Sequence, residues 1–227
     1  KDGKTVAERM AKKFDRHSLV AAMGTELSQK KSLAVKSPKA KSEAPIAIRA
    51  RPQTAAASDE LIAHQGEIIG LAGLSGHGQT RMLLQLFSRN EADVNAPVAF
   101  IAGDRQSDGI FNLWSIAANV TIRSLRSLLK RGLIAREGEN RLAAEWKTRM
   151  GIRTPDMNNN ILTLSGGNQQ KTLFARALGS EAMIILMDDP MRGVDIGTKL
   201  EVYEMIAREA KRGRTFIWYT TEMEELQ

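Results

Sequence analysis

Three groups of residues in this sequence have types and spacings suited to phosphate chemistry. The first is Leu164-Ser165-Gly166-Gly167-Asn168-Gln169-Gln170-Lys171. Ser and two glycines ahead of an amide-rich, apolar-periodic stretch read as a loop entering a helix. Gly166 and Gly167 let backbone N–H groups approach a ligand, and the helix start adds partial positive charge. With the Ser165 hydroxyl and Gln169, this makes an anion site suited to a terminal phosphate. The second group is Gly73-Leu74-Ser75-Gly76-His77-Gly78-Gln79-Thr80, followed by Arg81. It fits the phosphate-loop template GxxxxGK[ST] at Gly73, Gly78 and Thr80, and fails at the lysine, where Gln79 stands. The third is Asp188-Asp189, behind the apolar run Met183 to Met187. The first carboxylate suits Mg²⁺, together with Thr80, and the second suits orienting a water. Singly, each group has a plain reading: two glycine turns and a solvated strand cap. Their context decides.

Glu67 to Ala72 is an apolar β-type run, and Arg81 to Ser88 has helical spacing with Met82, Leu83, Leu86 and Phe87 apolar. The order is strand, glycine-rich loop, helix, which a phosphate loop requires. Val98 to Ala102 reads as a buried strand, followed by Gly103-Asp104-Arg105 and Asp108-Gly109. From Ser124 to Met150 the pattern is helical and charged. Thr172 to Leu178 continues the helix that begins near Gly166, and Gly179 ends it. Gly193-Val194-Asp195 precedes an amphipathic helix, Thr198 to Arg212; a last strand, Thr215 to Tyr219, leads into Thr220-Thr221-Glu222. This alternation predicts an α/β fold with a doubly wound parallel sheet. Ile46 to Ala50 reads as an edge strand. Ahead of it lie a hairpin turn at Asp2-Gly3, a helix from Arg16 to Met23 closed by Gly24, and a Lys-, Ser- and Ala-rich linker.

At 227 residues the chain can bury a sizeable core. It has no cysteine, which excludes disulfide scaffolds and thiolate metal sites. No apolar run approaches the roughly 18 residues that span a bilayer. The net charge of +7 is concentrated in Lys30, Lys31, Lys36, Lys39 and Lys41. No aromatic residue lies between Phe14 and Phe87 to form a base-stacking platform, so nucleic acid is not an expected partner. The chain opens on Lys1, not Met, and is expected to be a fragment.

LSGGNQQK resembles the signature motif of the ATP-binding cassette (ABC) family. Its NQQK form resembles the ribose/galactose/xylose importer branch, whose ATPases carry two cassettes in one chain. The phosphate loop, the helical insertion, the signature, Asp188-Asp189 as Walker B, Asp195 in a D-loop and the Thr221 switch strand stand in cassette order. The resemblance implies a P-loop NTPase cassette with a RecA-like parallel sheet core, an antiparallel β edge and an inserted helical subdomain, truncated at its C-terminus. It divides the chain into the tail of a preceding cassette (1–24), a linker (25–45) and a second cassette (46–227, helical subdomain about 112–165). The implied cofactors are ATP and Mg²⁺. The implied partners are the preceding cassette of the same polypeptide, membrane permease subunits and, indirectly, a solute-binding protein. The implied location is peripheral, on the cytoplasmic face of the inner membrane. Two such cassettes close head to tail, with each ATP between one phosphate loop and the other signature.

The departures from the family pattern fall on this cassette's own site. Gln79 replaces a lysine or arginine, Asp189 the catalytic glutamate and Thr221 the switch histidine. Gly103 stands where the Q-loop offers a polar side chain. The signature is whole. The sequence therefore predicts an asymmetric pair, with Asp189 and Thr221 as the catalytic positions of a degenerate site. Other readings stay open: a soluble twin-cassette translation factor, a non-catalytic regulatory cassette, or a nucleoside or polyol importer. Around Asp104 to Val120, the segment the family uses for coupling, Trp114 is expected at the permease interface and Leu113 in the core.

Overall fold

The computed structural model describes residues 44–52, 60–74, 76–90, 92–130, 132–222 and 225, all within the unit Ser37–Gln227. The N-terminal hairpin, the helix closed by Gly24, nearly all of the linker, and Ser75 lie outside the described residues. In chain order the first elements are β1 (Ile46–Ala50), β2 (Leu61–His64), β3 (Ile68–Leu71), α1 (Gln79–Ser88), β4 (Ala92–Val94) and β5 (Val98–Ile101). A π-helical turn, Arg105–Gly109, leads to α2 (Ile116–Thr121), the hairpin β6 (Leu129–Lys130) and β7 (Leu133–Ile134), and α3 (Arg136–Met150). Then come α4 (Gly166–Leu178), β8 (Ile184–Asp188), α5 (Ile196–Lys211) and β9 (Thr215–Tyr219).

The central sheet is parallel, in the order β3-β9-β8-β5. Parallel strands between two helical layers are buried on both faces, so β8 and β9 read as unbroken apolar runs, IILM and TFIWY. The strand period of two then divides them between two cores. Ile184, Leu186, Ile217 and Tyr219 pack with Leu83 and Leu86 of α1 and with Ile48 of β1. Ile185, Met187, Phe216 and Trp218 pack with Phe174 of α4, Trp146 of α3 and Val202 of α5. Phe174 is wholly buried at this centre; trimming such a ring to Ala costs about 3–5 kcal/mol. Trp146, Met150, Ile152 and Ile161 join the same core, so the insertion and α4 are one packed body.

Two expectations are corrected here. Ile46–Ala50 is not an edge strand: it is the middle of an antiparallel sheet, β2-β1-β4. The stretch 124–150 is not one helix. Gly132, at φ 83, reverses the chain between β6 and β7, and the helix starts only at Arg136. That helix carries Glu137 and Glu139 in its first turn and Lys147 and Arg149 in its last, each sign at its favoured end. Gly151 closes it in the left-handed conformation, with the Ile152 N–H donating to the Lys147 carbonyl. Among the described residues no helix is long and apolar enough to cross a membrane.

Candidate functional site

The phosphate loop leaves β3 and enters α1. Gly76 and Gly78 sit at φ 88 and 102, a region L side chains rarely adopt, so this path needs glycine. Gly78 is the helix N-cap, and its carbonyl accepts the first helical bond from the Met82 N–H at 2.8 Å. The helix start meets the end of β8: Thr80 Oγ1 donates to Asp188 Oδ1 at 2.9 Å. Burial holds the Asp188 carboxyl above the usual carboxylate range; the Thr80 bond works against this and neighbouring Asp189 adds to it. A hydroxyl and a carboxylate this close are hard oxygen donors that suit Mg²⁺. His77 and Arg81 lie exposed on the loop and the first turn.

Gln79 does not stand in for a cation. Its Nε2 donates back to the Ala72 carbonyl at 3.3 Å, and a Cβ on Gly73 would fall 2.2 Å from it. The amide is folded into its own loop. Asp189 is 8% exposed, and its N–H donates to the Tyr219 carbonyl at 2.8 Å. Its carboxylate accepts from Thr221 Oγ1 at 3.1 Å, so the two residues predicted to be catalytic touch. Gly103 has a steric reason: a Cβ there would sit 2.7 Å from the Asp188 carbonyl. No polar side chain fits at that position on this backbone.

The signature residues form a second cluster. Ser165 is the N-cap of α4, and its hydroxyl accepts from Asn168 Nδ2 at 3.0 Å. Asn168 Oδ1 in turn accepts from the Arg153 N–H at 2.8 Å. A Cβ on Gly166 would fall 2.8 Å from Arg105 Nη2, so the guanidinium lies against the loop; its Nε is buried without a partner. A Cβ on Gly167 would fall 2.7 Å from Thr198 Oγ1 and 3.1 Å from Asp195 Oδ2. Asp195 caps α5, accepting from the Thr198 N–H at 3.0 Å and its hydroxyl at 2.8 Å. Burial pushes its carboxyl up, but those bonds outweigh it and the net shift is downward. Gln169 is turned into the protein. It is 5% exposed, accepts from Gln106 Nε2 at 3.1 Å and donates to the Ile161 carbonyl. The amide beside Ser165 is that of Asn168, three residues on and therefore on the same helix face.

The structure thus joins Thr80, Asp188, Asp189 and Thr221 in one cluster, and Ser165, Gly166, Gly167 and Asp195 in another. Among the described residues no hydrogen bond or ion pair connects the two. Arg105, Gln106 and Thr198 were missed because their contacts cross elements distant in sequence. Arg176 was missed too, and it ties α4 to α2 and to the π-helical turn before it. Its Nε and Nη1 donate to the Asn119 and Gly109 carbonyls, each at 2.6 Å, and its Nη2 to Asn119 Oδ1 at 2.7 Å. Burial brings this guanidinium down to about 10. Beside it, Phe111 and Trp114 stack at 4.5 Å and stay partly exposed. Leu113 is 92% exposed, not core as expected. The Phe111-Trp114 stack and the Asn119 bonds to the Phe111 backbone close the turn around it, so its side chain is left outside.

The ABC transporter family model matches residues 58–192, which takes in the phosphate loop, the signature and Walker B. A ribose import ATP-binding protein of Rubrobacter xylanophilus, RbsA 1, is 36% identical over 181 residues, covering 71% of this chain. Another, RbsA 2 of Burkholderia ambifaria, is 32% identical over 185 residues, covering 72%. The chain spans 36% of the length of both relatives. Among solved structures, an ABC transporter captured facing inward superposes with a TM-score of 0.68 at 19% identity, over 80% of this chain and 75% of that one. A dimeric ATP-binding cassette in a post-hydrolysis state with ADP and Pi gives 0.60 at 19%, over 78% of this chain and 87% of that one. At such identity these two speak for the fold alone. With a phosphate loop meeting Walker B at Thr80 and Asp188, and a signature helix backed by its D-loop, the chain belongs to the ABC transporter family.

Proposed function

We propose that this chain is the second cassette of an ATP-hydrolysing subunit with two fused cassettes, powering import of a sugar-like solute through a permease. The ribose-import names of its relatives support the solute class. The observation that carries the asymmetry is the contrast between the two clusters. The signature loop is backed by Arg105, Asn168, Asp195 and Thr198, whereas Gln79 is folded onto Ala72. On this reading, nucleotide bound to the preceding cassette meets Ser165, Gly166 and Gly167 of this chain. The site from Gly73 to Arg81 takes nucleotide weakly on its backbone amides. Thr80 and Asp188 would hold Mg²⁺ there, and Asp189 with Thr221 would position a water. Bound ATP supplies the phosphoanhydride that is cleaved; the chain's own residues bind it, orient it and enclose it. The subunit sits on the cytoplasmic face of the inner membrane, with Phe111 and Trp114 toward the permease. The solute-binding protein acts on it only through that permease, and nucleic acid is no partner.

The test is ATP turnover of the assembled transporter carrying Ser165→Arg or Asp189→Asn. Ser165→Arg should lower turnover by about a hundredfold or more, the scale of losing transition-state donors. Asp189→Asn should leave it within a few-fold. Equal losses would end the asymmetric reading.

A further inference from the structure

From Gly109 to Arg136 the sequence holds five cations, Arg123, Arg126, Lys130, Arg131 and Arg136, and no acidic residue. Arg123, Arg126 and Arg136 are all exposed, and Arg123 also donates to the Val98 carbonyl. Between those two lies the β6-β7 hairpin, paired Leu129 to Ile134 and Lys130 to Leu133. Leu129, Leu133 and Ile134 are 49%, 76% and 46% exposed. Successive strand residues face opposite sides, so Leu129 and Ile134 carry one face and Leu133 the other. Both faces of the hairpin therefore offer aliphatic carbon to solvent. A hairpin packed on its own core has a polar outer side; here Leu133, paired with Lys130, puts exposed aliphatic carbon on one side while Leu129 and Ile134 do so on the other. A flat protein surface would cover one face only; a fluid apolar layer covers both. Just beyond, Glu139 accepts the Thr121 hydroxyl at 2.8 Å, and Glu137 is the only other carboxylate in the first turn of α3.

We infer that this hairpin is a membrane-surface contact. Leu129, Leu133 and Ile134 enter the headgroup boundary of an anionic bilayer, and Arg126 and Arg136 meet its phosphates. The inference rests on reading the chain as part of a membrane-bound transporter, but its test uses neither transport nor ATP turnover.

Because the chain has no cysteine, Leu133→Cys carries a single polarity-sensitive fluorophore. Vesicles of equimolar phosphatidylcholine and phosphatidylglycerol should shift its emission to the blue. Pure phosphatidylcholine should not, and a label at Lys211→Cys should stay unchanged. Replacing both Arg126 and Arg136 by Gln, at exposed positions that leave the fold intact by circular dichroism, should weaken binding about tenfold. Co-sedimentation without a shift at position 133 would assign binding to the lysine-rich stretch near the N-terminus and overturn the inference. Equal binding to zwitterionic vesicles would overturn the charge argument. A shift seen only with permease in the vesicles would make the hairpin a protein contact. Any of these leaves the import reading standing, since turnover of the Ser165 and Asp189 variants tests that separately.

Discussion

At the phosphate loop, the side chain in the cation's place is an amide folded onto the Ala72 carbonyl. At the signature loop, a guanidinium that no motif calls for lies against Gly166, at the positive end of α4. One loop has no cation at that position; the other has one lying against it. The path of the phosphate loop resides in glycines at positive φ and in where β3 and β8 end. Replacing Gln79 leaves those glycines and strand ends in place. The signature loop is instead held by four residues from three other segments: Arg105, Arg153, and Asp195 with Thr198 at the start of α5. Decay of the first costs chemistry only, whereas decay of the second would also loosen packing.

That contrast breaks most readily at Arg176. Arg176→Met keeps much of the volume but strands the Gly109 and Asn119 acceptors, and should lower unfolding stability by about 3 kcal/mol. Urea denaturation reads this, while ATP affinity at the phosphate loop should hardly move. A parallel fall in affinity would show that the two loops are one mechanical unit. Next, Gln79→Lys should raise ATP affinity of the chain by about ten- to a hundredfold, the worth of a charge-assisted hydrogen bond. Calorimetric titration checks it; unchanged affinity would mean that loop shape, not charge, sets the limit. The smallest effect is at Asp195. Its folded carboxyl lies below the usual range, so its contribution is present above the ordinary aspartate range and fades as pH falls through the folded value. Asp195→Asn should therefore cost up to about 1 kcal/mol near neutrality. The gap from the parent should narrow as pH falls below the ordinary aspartate range, as denaturant midpoints at neutral and acid pH would show.

The central strands were legible because parallel burial writes itself as apolar runs, and β8 and β9 have neighbours on both sides. The phosphate-loop cluster was legible for the same reason, since the sequence ends of strands place Thr80 and Asp188. Short strands gave less. β2 and β4 hold three or four residues, and their pairing with β1 is long-range. The β6-β7 hairpin hides inside a leucine spacing that suits a helix equally well. The loop pattern does not fix helix rotation, which here is set by Gln106 and Ile161 bonding Gln169 on one side and Arg153 bonding Asn168 on the other. Leu113 shows that hydrophobicity alone does not locate a residue when a neighbouring stack and backbone bonds shape the turn.

Asp189 has one further consequence, for which side chains its position accepts. Its φ of 43 lies in the left-handed region, which aspartate and asparagine tolerate better than longer side chains do. Restoring glutamate there would ask a bulkier residue to accept that backbone, in an almost closed space beside Thr221. A single Asp189→Glu change would meet strain at that backbone. Glutamate at this position requires the Asp189 backbone and Thr221 to change together.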